Sequence, residues 1–432
     1  ELSGYTNNNP MIVDEDFLTF CERTDLPQFD FIALHGIWSW VSSENRMIII
    51  KFLKQKLAIG GVLYVSYNTQ PGWSPMIPFR DMLTRHADTM APKGLGIVRR
   101  IDAALDFADN LMKCDPKFKE ANPQVQERLE MIKKQDRNYL AHEYFNADWT
   151  PMGFKEMNDL LMEAKLSFAG SANFADAVPY INFTEKQIEL IKSIDDPVFR
   201  EVIKDMCVNQ GFRKDYWVKG SRKLTVYERN ARLSKIPIAL LTEVADVDLK
   251  ITGTLGEAQL TKSIYEPILL ELRRHEKISI GALSKQLGNI ADDAQIIEAI
   301  MILISKNNVA IAMSDSEVKG AQKATSRLNV HLAQESISKD EVAYLVSPIT
   351  LTGLPLGKFE RLFLLALKHN CKTADEIGKY VWNLLSVQGQ RVVKDGSTLE
   401  SSQENIDYII SDATKFLEKS LDLLKMLKVH PL

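Results

Sequence analysis

The first hundred residues alternate short apolar runs with segments of helical period, and no other feature restricts the fold as much, because this alternation is the signature of an α/β domain around a parallel sheet. Phe29 to Leu34 (FDFIAL) and Val62 to Tyr67 (VLYVSY) read as buried strands. Pro10 to Val13 reads as a further short strand, with Asp16 to Phe20 in the loop that follows it. Ser43 to Leu57 sets Met47, Ile48, Ile50, Phe52, Leu53 and Leu57 at helical spacing, and Gly60-Gly61 is expected to stop that helix. From about Ile77 to Tyr144 the chain is helical and polar with no strand pattern, which predicts an insertion. Thr150 is the expected N-cap of the next helix, with Pro151 at its first position. That helix should run to Ala164 and deliver a strand at Leu166 to Ala169, closing the α/β domain near residue 183.

Beyond Thr184 helical patterns dominate, with a hairpin expected around Leu249 to Leu255. His275 to Leu287 and His369 to Val381 share His, Ser or Thr, Leu or Ile, Lys, and Leu or Val at matching offsets, and an apolar helix precedes each. That layout suggests winged-helix-like units. The expected divisions are 1–183, with 77–144 as the helical insertion; 184–255, a helical middle region; 256–330, winged-helix-like; and 331–432, helical. The helix expected after the first copy, Asp292 to Lys306, opens with two acids that would repel phosphate. These regions are therefore expected to contact protein and not nucleic acid.

Bulk properties agree with a modular, cytoplasmic chain. Its 432 residues exceed one hydrophobic core, and a formal charge of -4 gives no global attraction to nucleic acid. No apolar run approaches a membrane span, so no membrane insertion is expected. Cys21, Cys114, Cys207 and Cys371 lie far apart without a CxxC pair, as in a reducing compartment. One local basic cluster, Arg213, Lys214, Lys219, Arg222 and Lys223 interleaved with Tyr216 and Trp217, could follow a phosphate backbone but is expected to be solvated or used within the fold.

In an open parallel sheet, ligands bind beyond the carboxyl ends of the strands. Three such ends carry candidates: Asp16-Phe17; His35-Gly36 with Trp38 and Trp40; and Tyr67-Asn68 with Trp73. A carboxylate beside an aromatic suits an adenine edge, and Gly36 lets backbone approach a ligand closely. Asp16 equally suits a helix cap, the tryptophans a core, and His35 a structural role. No metal-ligand cluster, nucleophile elbow or phosphate-binding loop is present, so no metal is expected.

Asp16-Phe17-Leu18, the run Phe29 to Val41 (FDFIALHGIWSWV), the run Leu57 to Asn68 (LAIGGVLYVSYN) and Pro71-Gly72-Trp73 together resemble class I S-adenosylmethionine-dependent methyltransferases with a C-terminal methyltransferase regulatory domain. The run Tyr139 to Tyr144 (YLAHEY) is similar to one that bridges the catalytic and regulatory parts. Protein lysine methyltransferases of the rickettsial type, which modify outer membrane proteins, share this layout. The resemblance implies a Rossmann-like domain, S-adenosylmethionine as cofactor, no catalytic metal, and a protein substrate, and it allows a homodimer. It implies cofactor contacts from Asp16, Phe17, His35, Gly36 and Trp38. An acceptor channel is expected from Trp40, Tyr67, Asn68 and Trp73, with His35 as the candidate proton acceptor. The family's glycine-rich loop does not precede Asp16, so the N-terminal part of the domain is expected to lie outside this chain. Two alternatives stay open: a small-molecule methyltransferase, with the insertion as a lid, and a non-catalytic interaction scaffold.

Overall fold

In the computed structural model, which describes residues 11–430 apart from 93 and 340, a short helix α1 (Phe17–Cys21) leads into β1 (Phe29–Leu34). The expected strand at Pro10 to Val13 does not form: Pro10 lies outside the described residues, and Met11, Ile12 and Val13 pair with no strand. The helical pattern that follows folds as α2 (Ser43–Lys56). Ser42 caps its first turn by accepting from the Asn45 amide at 3.2 Å, Glu44 sits at the positive end, and Lys54 and Lys56 sit at the negative end.

Helix α2 ends at Lys56, four residues before Gly60, because Leu57 already turns to the extended conformation that opens β2 (Leu57–Asn68). Gly60-Gly61 serves the strand instead. Pairing with β1 jumps from Phe29 opposite Leu57 to Phe31 opposite Val62, and Gly60 takes a φ of 82° at the bulge this creates.

The insertion is helical as expected: α3 (Met76–Arg85), α4 (Ile97–Lys113), α5 (Lys117–Ala121), α6 (Gln124–Lys133) and α7 (Arg137–Glu143). It has a core of its own. Ile101, Ala104, Leu105, Ala108 and Met112 form the buried stripe of α4 and pack with Leu83, Val125, Leu129 and Leu140.

Thr150 is not a helix cap. Its amide donates to the Ser39 carbonyl at 2.9 Å, and the Met152 amide donates to the Asn68 carbonyl at 3.0 Å. These bonds tie residues 150–152 as an extended strap, so α8 (Phe154–Glu163) starts only after Gly153. The predicted strand follows as β3 (Leu166–Ser171).

The sheet does not close there. Helices α9 (Pro179–Asn182), α10 (Glu185–Lys192) and α11 (Pro197–Val208) lead to β4 (Phe212–Lys219), which inserts between β2 and β3. The order is β1-β2-β4-β3, with β1 parallel to β2 and β4 antiparallel to both its neighbours. A mixed sheet thus replaces the expected parallel one. The sheet-bearing unit accordingly comprises residues 13–223 with 253–256, where the expected boundary was 183.

One face of this sheet presents Leu34, Leu63, Val65, Tyr67 and Trp217 to Ile49 and Leu53 of α2 and to Phe154, Met157 and Leu161 of α8. Each of these side chains contributes about 1.5–3 kcal/mol by burial. That is what fixes the strand ends in space.

The described residues of 224–252 and 257–430 form a second unit. In it, Ile278–Ser279, Pro237–Leu240 and Val309–Ile311 make a small antiparallel sheet. The expected hairpin forms as Lys250–Gly253 with Gly256–Gln259, its tip at 253–256 counted with the sheet-bearing unit. Both repeat copies begin alike, with a helix (Lys262–Arg273 or Lys358–Lys368) followed by a helix capped by Ser279 or Thr373. They then part: the first copy continues into the helix Asp293–Ser305, the second into a hairpin, Val393–Lys394 with Ser397–Thr398, and then the helix Ser402–Lys419.

Candidate functional site

A cavity of about 650 Å³ opens at the carboxyl ends of β1 and β2. Four residues expected from the sequence meet there, Gly36, Trp40, Asn68 and Trp73, joined by Arg128, Tyr139 and Glu143 of the insertion. Local bonds explain how each is aimed. Gly36 has a φ of 65° and donates its amide to Ser66 Oγ at 2.9 Å, and nothing lies within 4 Å of where a Cβ would stand. That leaves an edge free of side chains, which fits a closely approaching ligand. The Asn68 amide donates to Ser39 Oγ at 2.8 Å, while its buried side-chain Nδ2 has no partner. The Trp40 indole donates to the Glu143 carbonyl at 3.4 Å, joining the β1 end to the insertion.

Trp73 is held by rings. It meets Trp149 edge-on at 5.2 Å and Tyr144 at 5.9 Å, and the Arg128 guanidinium lies over it at 4.5 Å. Arg128 Nε also donates to the Tyr144 hydroxyl at 2.9 Å, which fixes the cation. Burial pushes the Glu143 carboxyl above the ordinary carboxylate range, with Arg128 opposing the shift. The cavity therefore combines aromatic walls, a half-buried acid and an unpaired amide donor, and Tyr139, 49% exposed, marks an opening to solvent.

Other expected residues lie elsewhere. Trp38 is fully buried in the sheet's core, with its indole donating to Met152 Sδ at 3.5 Å, so it touches no ligand. Tyr67 is likewise fully buried and donates to Asp215 Oδ2 at 2.9 Å, which removes it from the acceptor channel. The alternation along β2 explains this: Tyr67 shares a face with Leu63 and Val65, against the helices. His35 is exposed, stacked on Tyr64 with Nδ1 3.0 Å from its hydroxyl, and does not line the cavity. Asp16 caps α1: Oδ1 accepts from the Leu18 and Thr19 amides and Oδ2 from the Thr19 hydroxyl, and these bonds hold its carboxyl below the usual range. Phe17 packs on the edge of the sheet's core.

Arg128, Tyr139 and Glu143 carried no role in the sequence reading. The run YLAHEY held two of them, and i, i+4 spacing put Tyr139 and Glu143 on one face of α7. What sequence could not show is that this face lies over the strand ends.

Of the basic cluster, Arg213 and Lys219 are used internally, while Lys214, Arg222 and Lys223 are exposed. Arg213 is buried in β4 and pairs with Asp205 at 2.5 Å, Asp215 at 2.9 Å and Glu201 at 3.2 Å. Lys219 Nζ donates to the Lys54 and Leu57 carbonyls, both at 2.7 Å, closing the C-terminus of α2. Among the described residues no group of His, Cys, Asp or Glu gathers to hold a metal, and no helix is long and apolar enough to cross a membrane.

Residues 136–219, from α7 to the end of β4, match the family described as a predicted methyltransferase regulatory domain. The match takes in Tyr139, Glu143, Asp205 and Arg213. The uncharacterized protein sll1526 of Synechocystis sp. is 35% identical over 424 residues, which are 98% of this chain and 82% of that protein. The uncharacterized protein RP789 of Rickettsia prowazekii is 27% identical over 227 residues, 50% of this chain and 39% of that protein. In fold the chain is similar to PKMT2 from Rickettsia typhi, solved in complex with AdoHcy, with a TM-score of 0.61 and 18% identity over 90% of this chain and 80% of that one. With 35% identity over 98% of its length, the chain belongs to the family of the Synechocystis protein, and its residues 136–219 carry the predicted methyltransferase regulatory domain.

Proposed function

We propose that the chain acts in an S-adenosylmethionine-dependent protein lysine N-methyltransferase of the cytoplasm, and that the cavity at the ends of β1 and β2 receives the acceptor lysine. The observation that carries this reading is that Trp40, Trp73, Tyr139 and Glu143 line one cavity at the strand ends. Aromatic walls cover a lysine's methylene stem, and a carboxylate pairs with its ammonium. The AdoHcy complex of the rickettsial PKMT2 and the regulatory-domain match support the cofactor.

S-adenosylmethionine supplies the methyl group on a sulfonium. When bound, it would deliver that methyl group to a neutral acceptor Nζ and leave as the thioether. Nζ needs a free lone pair for this. Desolvation against Trp40 and Trp73 disfavours the ammonium, and Glu143, its carboxyl already raised by burial, accepts the proton at a side-chain oxygen. The unpaired Asn68 Nδ2 offers a hydrogen bond to an acceptor group of the bound chain. The side chains thus align and desolvate the nucleophile, which is most of what such a displacement requires. The helices of the second unit, including the winged-helix-like 262–311 segment, are proposed to hold the polypeptide, with an outer membrane protein as the target.

A small-molecule acceptor is the second reading, favoured by the share of the cavity wall that the insertion provides. The test is transfer of a labelled methyl group by the full-length protein to a lysine-containing polypeptide and to free lysine. Labelling of the polypeptide alone supports our reading, and labelling of only the free amine replaces it with the second.

A further inference from the structure

Behind β4, three carboxylates converge on one guanidinium. Asp215 Oδ2 accepts from both Arg213 Nε and the Tyr67 hydroxyl at 2.9 Å, Glu201 accepts from Arg213 and from Lys204, and Asp205 Oδ1 accepts from Arg213 Nη1. Phe154 lies under the guanidinium at 4.4 Å. Arg213, Asp205 and Asp215 are each less than a tenth exposed, and Asp205 Oδ2 has no partner. With three acids and the two cations Arg213 and Lys204, the cluster holds one negative charge too many for a buried site.

The cluster sits directly behind the cavity. The Asp205 carbonyl accepts from the Gln210 amide at 2.9 Å, the Gln210 carbonyl accepts from Gly72 at 2.9 Å, and the Gly211 carbonyl accepts from Thr69 at 3.0 Å. Gly72 and Gly211 approach so closely that a Cβ on Gly72 would lie 2.6 Å from the Gly211 Cα, and a Cβ on Gly211 would lie 3.9 Å from the Trp73 indole. Tyr67, held by Asp215, directly precedes Asn68 in the cavity wall.

We propose that Arg213 is a positioning residue for the acceptor cavity, an inference that rests on the functional reading above. By gathering Asp205 and Asp215 it fixes the 209–212 turn and the Tyr67-Asn68 backbone, and through them Trp73 and Asn68. Asp205 is the proton-bearing member. Burial pushes its carboxyl up to about 7, against the opposing pull of Arg213. The charged and titratable groups facing it are Glu201 and Lys204 on its own helix, Arg213, Lys214 and Asp215 on β4, Tyr67 on β2, and Asp176 beyond β3, several of them around a cavity of about 300 Å³ that admits solvent to the cluster.

The test uses the whole chain labelled for NMR, observing the Trp73 indole and the Asn68 side-chain amide while pH is raised from 5.5 to 8.5. Both signals should move with a midpoint near 7, and Asp205→Asn should abolish that movement while leaving the remaining indole signals in place. Arg213→Met should displace both signals at every pH, and Arg213→Lys should restore them in part. Signals that ignore pH, or that titrate unchanged in Asp205→Asn, overturn the proposal. Methyl transfer to a lysine-containing polypeptide is followed in parallel on the same variants. Absence of transfer by the unaltered protein would remove the functional reading alone, because the NMR signals judge the positioning without it. Where transfer occurs, Arg213→Lys should raise KM for the polypeptide about tenfold with little change in kcat, and an effect on kcat alone counts against positioning.

Discussion

Replacing Asp205 with asparagine should change how stability depends on pH more than it changes stability itself. The folded protein holds this carboxyl near 7, against 3.8 when exposed. A raised value means that the folded state favours the protonated form. The stabilisation is therefore complete below about pH 4 and is lost as pH rises through about 7. A shift of that size is worth about 4 kcal/mol at most, since each unit is worth about 1.4 kcal/mol, and water entering beside the cluster reduces it to about 2 kcal/mol. For a unit of roughly two hundred residues, each kcal/mol moves the melting midpoint by about 2–4 °C. About two thirds of that loss falls between pH 5 and pH 8, so over this range the unaltered protein should lose roughly 3–5 °C more than Asp205→Asn, whose amide does not ionise. Scanning calorimetry on both proteins at both pH values gives the comparison, and groups titrating equally in the two, such as His430, cancel. If the two midpoints fall in parallel across this range, Asp205 is ionised throughout and the reasoning about the surplus charge fails.

Further outcomes are expected elsewhere. Glu143→Gln removes the carboxylate from the cavity while keeping its shape, and should cut kcat/KM for a lysine polypeptide by roughly tenfold or more at neutral pH, without shifting the melting midpoint by more than a degree or two. His35→Ala should leave transfer within about twofold, because the ring is stacked on Tyr64 outside the cavity; a hundredfold loss in the same assay would restore it as a proton acceptor. Trp38→Ala empties a fully buried position and should cost about 3–5 kcal/mol in chemical unfolding. Gly72→Ala forces a Cβ against the Gly211 backbone, so its crystal structure should show the 209–212 turn displaced; an unmoved turn would contradict the tight contact.

The parts of the fold written in periodicity were legible. FDFIAL, the Ser43 helix, VLYVSY and the helical insertion all occur where apolar spacing puts them. Strand β4 was hidden because its inward positions include Arg213 and Asp215 as well as Trp217, so a buried ion network reads as a basic surface cluster. The start of α8 was misplaced because Thr150 and Pro151 look like a cap, while long-range bonds to Ser39 and Asn68 hold that backbone extended. For the candidate cavity, strand ends pointed to Gly36, Trp40, Asn68 and Trp73, which line it together. They could not separate Tyr67 from Asn68, which depends on which face of β2 the helices cover. Glu143 comes from an element distant in sequence, so only the fold brings it into view.

The sheet and the insertion each have a hydrophobic core, and the two share no side chain. Substitutions inside one can accumulate without unsettling the other, which lets the insertion diverge at its own pace while the sheet stays constrained. Arg128, Tyr139 and Glu143 all sit on the insertion. The lining that α6 and α7 give the cavity can therefore be exchanged, by grafting residues 76–143 from one relative onto another, with the sheet's core left intact.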